Sequence, residues 1–237
     1  GKRLRDIYGD KVVVIPYVMA GFDLAAYCAR EFPRQKTKNT AGMVLMSHGI
    51  FSFAAQARES YELMIELVSM AERYLEGRKA WSIGLPPAAA PGFERSAAAK
   101  LRHDASKAAG FPLLCRSNAS PRFLGFARHP EVARLSQSGP ATPDHVIYTK
   151  PLPMLGRNVE DFSSSYRSYF ERNSKQAKQP KTMLDPAPRV ALDPELGLAA
   201  FGLTARETGI VEDIYEHTID VILRAEALGG WQALDEH

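Results

Sequence analysis

The sequence lacks several features that would assign it to a specialised class of protein. Only two of its 237 residues are cysteine, Cys28 and Cys115, and they form neither a C-x-x-C pair nor a disulfide framework. No apolar run approaches the length of a membrane-spanning helix, and no signal-peptide pattern opens the chain. These absences predict a reducing, cytoplasmic setting and no membrane partner.

The sequence also has only a small net charge and lacks the common cofactor-binding motifs. The net charge is +3, and no dense stripe of lysine and arginine is interleaved with aromatic residues, so we expect no nucleic-acid partner. Neither a G-x-G-x-x-G loop nor a Y-x-x-x-K pair occurs, so no cofactor-binding residue is assigned. With 45% hydrophobic and 24% charged residues, the chain has the composition of a globular protein with one large core or two modest domains.

The most informative segment carries a single histidine between two apolar runs. Residues 42–53 read GMVLMSHGIFSF, so His48 stands at the end of one run and Gly49 opens the next. A strand that delivers a histidine to a sharp turn is a common way to aim a metal ligand into a cleft. The alternative is a buried histidine that is hydrogen-bonded within the core.

Periodicity predicts a mixed α/β chain. We expect strands at 11–15, 43–46, 50–53 and 111–115, the middle two being either separate strands or one strand bent at His48-Gly49. We expect helices at 23–32, 55–76, 94–109 and 161–175, with further helical turns at 123–135. Pro33 is expected to end the first helix, and residues 81–93, rich in proline, alanine and glycine, are expected to form a linker.

The end of the chain repeats the segment around His48. Residues 197–207 align with 49–59 at a shift of 148 positions, with five identities. A second block, starting at Tyr61 and Tyr215, aligns at a shift of 154 and places six extra residues inside the later helix. Recurring helix-cap chemistry is the alternative to a true duplication. At the shift of 148, the counterpart of His48 is Leu196, so only the earlier copy carries the candidate ligand.

These motifs resemble a known family. Residues 42–51 and 57–62 resemble the class II aldolase/adducin domain. Four further segments, at 16–22, 139–147, 185–190 and 213–219, resemble bifunctional proteins in which a class II aldolase domain precedes a short-chain dehydrogenase domain. This group is known as rhamnulose-1-phosphate aldolase/alcohol dehydrogenase, and the resemblance covers nearly the whole chain.

The resemblance implies a metal site and a place for His48 within it. Such aldolases hold a divalent metal, usually zinc, with an H-x-H pair and a later His-Gly motif, and His48 matches the latter. The metal polarises a hydroxyketone carbonyl while a nearby glutamate moves the proton. Residues 1–47 contain no histidine, so the H-x-H pair and the glutamate are expected before Gly1, and no catalytic residue is assigned within the chain.

The implied architecture is a layered α/β/α fold in two aldolase-like units. Residues 1–80 are expected to be the C-terminal part of a class II aldolase domain, 81–93 a linker, and 94–237 a second unit without the ligand histidine. A dehydrogenase domain with NAD(P) is expected beyond His237, so the chain is interpreted as a fragment. We expect a homo-oligomer that cleaves a sugar phosphate, a ketose 1-phosphate. The alternatives are a non-catalytic adducin-like assembly module and a sugar-phosphate epimerase.

The pair Asp144-His145 follows a turn-rich stretch, and a functional and a structural interpretation are both open. In the functional interpretation the pair is a degenerate metal motif or part of a ligand pocket. In the structural interpretation it caps a turn or helix.

Overall fold

The computed structural model describes residues 1–86, 95–177 and 179–234, which form two compact units. The first unit comprises Gly1–Ile83 and Arg224–Gly230, and the second comprises Gly84–Leu223 and Trp231–His237. Each unit combines a sheet with helices, which confirms the predicted α/β class. None of the helices in the described ranges is long and apolar enough to cross a membrane.

The first unit is a three-stranded sheet with helices on both faces. Its elements are α1 (Lys2–Tyr8), β1 (Val12–Ile15), α2 (Phe22–Gln35), β2 (Gly42–Leu45), β3 (Gly49–Ser52) and α3 (Ala57–Gly77). The strand order is β1-β2-β3, with β1 parallel and β3 antiparallel to β2. Alternating residues of β1 point to opposite faces. Val12 packs with Leu67 of α3, while Val13 packs with Leu24 of α2, so the layers are α/β/α.

The expectation that Pro33 ends its helix is wrong. The helix α2 continues to Gln35, and the amide of Lys36 still donates to the carbonyl oxygen of Phe32 at 3.0 Å. Proline removes one backbone donor. Because Pro33 lies in the last turn, the loss affects a single bond near the helix end and does not interrupt a long ladder.

The second unit holds a four-stranded sheet. Its elements are α4 (Arg95–Ala109), β4 (Leu114–Asn118), α5 (Pro121–Ala127), α6 (Val132–Ser136), α7 (Asp144–Tyr148), β5 (Met154–Leu155), α8 (Val159–Ser174), β6 (Val190–Asp193), β7 (Gly197–Gly202) and α9 (Ala205–Ala227). The strand order is β4-β7-β6-β5. β5 runs parallel to β6, and the other neighbouring strands are antiparallel.

The predicted strand at 111–115 is shifted toward the C-terminus. Leu113 is fully buried, and its amide donates to the hydroxyl of Ser106 at 3.0 Å, so the chain folds back on α4 before the strand begins. Pairing with β7 then starts at Leu114, opposite Gly202. The sequence analysis also missed β5, β6 and α7, which are short or lie beside prolines.

The two units repeat one order of elements, strand-helix-strand-strand-helix. β1, α2, β2, β3 and α3 correspond to β5, α8, β6, β7 and α9. Both hairpins pair with one register, because Leu45 faces Gly49 and Asp193 faces Gly197. The shift of 148 positions therefore holds on both hairpin strands.

The second alignment, at a shift of 154, is wrong. The long helices begin at Ala57 and Ala205, each eight residues after its hairpin glycine, so the later helix has no insertion at its start. Tyr61 is 68% exposed whereas Tyr215 is 3% exposed, and the buried counterpart of Tyr215 is Leu67. Six extra residues rotate a helix by about 120° from the original face, which explains the mismatch.

Gly42 in β2 gives a direct test of how tightly the first unit packs. A Cβ atom added at Gly42 would lie 2.5 Å from the carbonyl oxygen of Phe51 and 2.8 Å from Cδ1 of Leu67. Overpacking of this kind costs about 1–3 kcal/mol, so Gly42→Ala is expected to lower the urea midpoint of unfolding. The control is Gly77→Ala, where the added atom meets open space and the helix end tolerates alanine. Equal midpoints for the two variants would contradict the packing.

Candidate functional site

The turn between β2 and β3 sets the position of His48. The amide of His48 donates to the carbonyl oxygen of Leu45 at 3.0 Å, and the amide of Met46 donates to that of Ile15, also at 3.0 Å. Ser47 has φ 61° and Gly49 has φ 152°, so the chain reverses through two positive-φ residues. The backbone therefore fixes His48 at the end of the sheet, as the sequence predicts.

The environment of the His48 ring selects one tautomer. Nε2 lies 2.8 Å from the carbonyl oxygen of Val18. A carbonyl can only accept, so Nε2 carries the hydrogen, and in the neutral ring Nδ1 keeps its lone pair. The ring stacks on Tyr17 with 5.4 Å between centroids and an 18° interplanar angle. Burial raises the pKa of Tyr17, so its phenol stays neutral beside the ring.

This arrangement is the one that metal-binding histidines use, in which one nitrogen donates to a carbonyl and the other is left to coordinate. No hydrogen-bond partner contacts Nδ1 from within the described ranges. The same ranges contain no group of three histidine, cysteine, aspartate or glutamate side chains that could hold a metal ion. The residues described therefore fit one ligand position and do not by themselves complete a metal site.

His145 lies in the second unit and makes packing interactions. It is 3% exposed at the start of α7, with Nε2 2.8 Å from the hydroxyl oxygen of Thr218 and Nδ1 3.2 Å from that of Thr142. Thr218 donates its own hydrogen to the carbonyl of Ile214, and Nδ1 also lies 3.1 Å from the carbonyl oxygen of Thr142, so both ring nitrogens are engaged within the second unit. Burial lowers the pKa of His145 and keeps the ring neutral. These contacts favour the structural interpretation of the Asp144-His145 pair.

A buried lysine in the second unit was missed by the sequence analysis. Lys150 is 3% exposed and has a left-handed backbone with φ 62°. Its Nζ atom donates to the carbonyl oxygen of Asp185, lies 3.8 Å from the carboxylate of Asp185 and 4.1 Å from the ring centroid of Tyr166. Burial lowers the pKa of Lys150 to about 7. These contacts attach the segment at Asp185 to α8, and nothing in the local sequence marks this lysine as buried.

Two sequence families match the chain. The family described as "Class II Aldolase and Adducin N-terminal domain" matches residues 2–75, and the family described as "Aldolase class II, second domain" matches residues 93–237. The chain is also 28% identical over 270 aligned residues to the uncharacterized oxidoreductase YuxG of Bacillus subtilis (strain 168). The match covers 100% of this chain and 37% of that relative, so the chain spans little more than a third of the relative's length. No solved structure matches the chain.

The burial of Lys150 predicts a pH dependence of stability. The unfolded chain keeps this lysine protonated up to its ordinary pKa of 10.5, whereas the folded chain loses the proton near pH 7. The unfolded state thus binds more protons, and the free energy of unfolding rises between pH 7.5 and 8.5, by roughly 1 kcal/mol.

Urea unfolding at these two pH values checks the assignment. Lys150→Met is expected to remove this increment, while the exposed control Lys107→Met retains it. An increment of the same size in both variants would show that Lys150 does not titrate in this window.

Proposed function

The chain belongs to the class II aldolase family, and from this premise we propose that it supplies one metal ligand, His48, to the retro-aldol cleavage of a sugar phosphate. The observation that carries the proposal is the His48 ring, with its Nε2 hydrogen donated to Val18 and its Nδ1 lone pair available. Class II aldolases generally depend on a divalent metal, and we propose zinc, which accepts imidazole nitrogen readily. When bound, such a metal supplies Lewis-acid polarisation of the ketose carbonyl.

The chain's own residues hold the imidazole ready for this role. The carbonyl of Val18 keeps a hydrogen on Nε2, which puts the lone pair of the neutral ring on Nδ1, and the ring stacks on Tyr17. The hairpin turn at Ser47 holds the backbone beneath the ring. One imidazole fills a quarter of a tetrahedral shell, so we propose that an H-x-H pair and the acid-base glutamate lie in sequence before Gly1.

The wider arrangement that we propose follows the sequence analysis. Residues 1–80 form the C-terminal part of an aldolase domain, 81–93 a linker that falls in part on residues outside the described ranges, and 94–237 a second unit without a ligand histidine. The word oxidoreductase in the name of the Bacillus relative supports a dehydrogenase domain with NAD(P) beyond His237. The substrate would be a ketose 1-phosphate of the rhamnulose type, and the protein a cytoplasmic homo-oligomer.

Two other functions use the same scaffold. An adducin-like assembly module is favoured by the second unit, where the buried Leu196 replaces the histidine. A sugar-phosphate epimerase could use the same carbonyl polarisation, since one fold supports several chemistries.

Metal content tests the role of His48. A polypeptide that includes the native sequence before Gly1 is expected to hold about one divalent metal per aldolase domain. His48→Ala is expected to remove both metal and cleavage, while His103→Ala, an exposed histidine on α4, leaves both unchanged. Elemental analysis of dialysed protein measures the metal. Full occupancy in His48→Ala would refute the assignment.

Product analysis separates the aldolase from its alternatives. With a panel of ketose 1-phosphates, an aldolase yields two carbonyl fragments. A hydroxyl of one fragment loses its proton and becomes a carbonyl as the carbon–carbon bond breaks, and the electron pair of that bond is protonated on the other fragment. An epimerase returns a single phosphate ester of unchanged mass, and an assembly module returns the substrate. Chromatography with mass detection distinguishes the three results.

A further inference from the structure

Among the described residues no strand pairs with the outer edge of β3, whereas β4 pairs with the outer edge of its counterpart β7. In the second unit, β4 pairs antiparallel with β7, with Asn118 opposite Leu198 and Arg116 opposite Ala200. At the shift of 148 positions, Leu198 and Ala200 correspond to Ile50 and Ser52. In an antiparallel strand, the N–H and C=O groups of successive residues point alternately to the two neighbouring strands. The backbone groups of Phe51 face β2. The amides of Ile50 and Ser52 therefore point outward, away from β2.

Side chains beside the unpaired edge of β3 are more exposed than their counterparts beside the paired edge of β7. Phe53 is 41% exposed, and its counterpart Phe201 is fully buried. A Cβ atom added at Gly197 would overlap the carbonyl oxygen of Asn118, at the end of β4. One added at Gly49 would meet no atom within 4 Å. Within the described ranges, the place that β4 takes beside the second hairpin therefore holds no strand beside the first.

The flank of α3 above this edge is apolar and exposed. Glu66 forms an ion pair with Lys11 on the β1 side of the helix. Tyr61, Ile65 and Val68 share another face of the helix by their i, i+4, i+7 spacing, with exposed fractions of 68%, 51% and 39%. We call these three side chains, with the outward amides of Ile50 and Ser52, the β3 edge face. An open strand edge beside an apolar stripe is a docking surface for an added strand.

In the second unit the corresponding flank of α9 carries β4 and α5. Arg122 of α5 forms ion pairs with Glu216 and Asp220, and Glu216 is the counterpart of Val68. Arg116 of β4 lies 3.9 Å from the Cβ position of Gly209, the counterpart of Tyr61. A strand and a short helix thus cover this flank through charged contacts. The first unit has apolar side chains at the corresponding positions, so an element that packs on them would need an apolar face.

We propose that the β3 edge face is covered by a strand followed by a short helix, located in polypeptide that precedes Gly1 in a longer chain. The order of elements supports this source, since β4 and α5 come before the second strand-helix-strand-strand-helix unit, with Leu114 forty residues ahead of Met154. The same spacing before Val12 places the missing strand about 30 residues ahead of Gly1. The strand pairs antiparallel to β3, and the helix lays an apolar face on Tyr61 and Val68.

Amide hydrogen exchange tests the proposal. The 237-residue chain is compared with the polypeptide extended by its native sixty or so preceding residues. The amides of Ile50 and Ser52 are expected to exchange about tenfold more slowly, or slower still, in the extended polypeptide. Leu198 and Ala200, already paired with β4, serve as internal controls with equal protection in both proteins. Unchanged exchange at Ile50 and Ser52 would overturn the proposal.

A pair of variants at Ile50 separates edge pairing from side-chain packing. Ile50→Pro and Ile50→Ala both lose the isoleucine side chain, but only proline removes the outward donor. The two variants are expected to have similar folding constants in the 237-residue chain. In the extended polypeptide, the folding constant of Ile50→Pro is expected to be lower by about tenfold. Equal constants in the extended polypeptide would count against the proposed strand.

Sedimentation velocity of the 237-residue chain identifies the competing occupant. If a second copy covered the β3 edge face, the chain would be a dimer, and protection of Ile50 would rise with protein concentration. That result would also overturn the proposal. None of these measurements depends on metal or on cleavage, so failure of the docking proposal and failure of the aldolase assignment are distinguishable.

Discussion

The backbone pairing of the β2–β3 hairpin is the constraint on which the candidate site depends. Because Leu45 faces Gly49, only three residues remain to reverse the chain, and His48 is one of them. The hydrogen bond from the His48 amide to Leu45 closes the turn, and the positive φ of Ser47 makes the closure possible. The imidazole is thereby placed beyond the sheet, where Val18 and Tyr17 can orient it.

The second hairpin has the same register but a turn closed by other means. The carboxylate of Asp193 accepts from the amides of Glu195 and Leu196 at 2.9 Å, and Arg157 donates two hydrogen bonds of 2.8 Å to it. Burial by itself raises the pKa of Asp193, but these donors outweigh it and lower the pKa. In the first turn, the part of the chain that the structure describes shows the backbone bond from His48 to Leu45, and the ring of His48 is half-buried. The second turn is held by an ion pair whose carboxylate, Asp193, is buried.

Local patterns predicted the elements beside His48, whereas contacts between residues distant in sequence could not be predicted. The strands beside His48 follow from apolar runs of four residues bounded by a glycine, and the turn follows from Gly49. The contact between His48 and Val18 joins residues thirty positions apart, and nothing in either segment specifies it. The pairing of β4 with β7 joins Leu114 to Gly202, which are far apart in the chain, so the sequence did not predict that β4 covers the edge of β7. Sequence identity also misled where helix phase mattered, as at Tyr61 and Tyr215.

The two hairpin turns of the duplicated unit differ, and this difference explains why only the first can carry a metal ligand. Placing histidine at Leu196 would not recreate the site, because that position is 2% exposed. The imidazole would be desolvated beside the Asp193–Arg157 pair. A metal ligand needs both an orienting partner and an open nitrogen. The first hairpin provides both, so its turn can serve chemistry while the second serves packing.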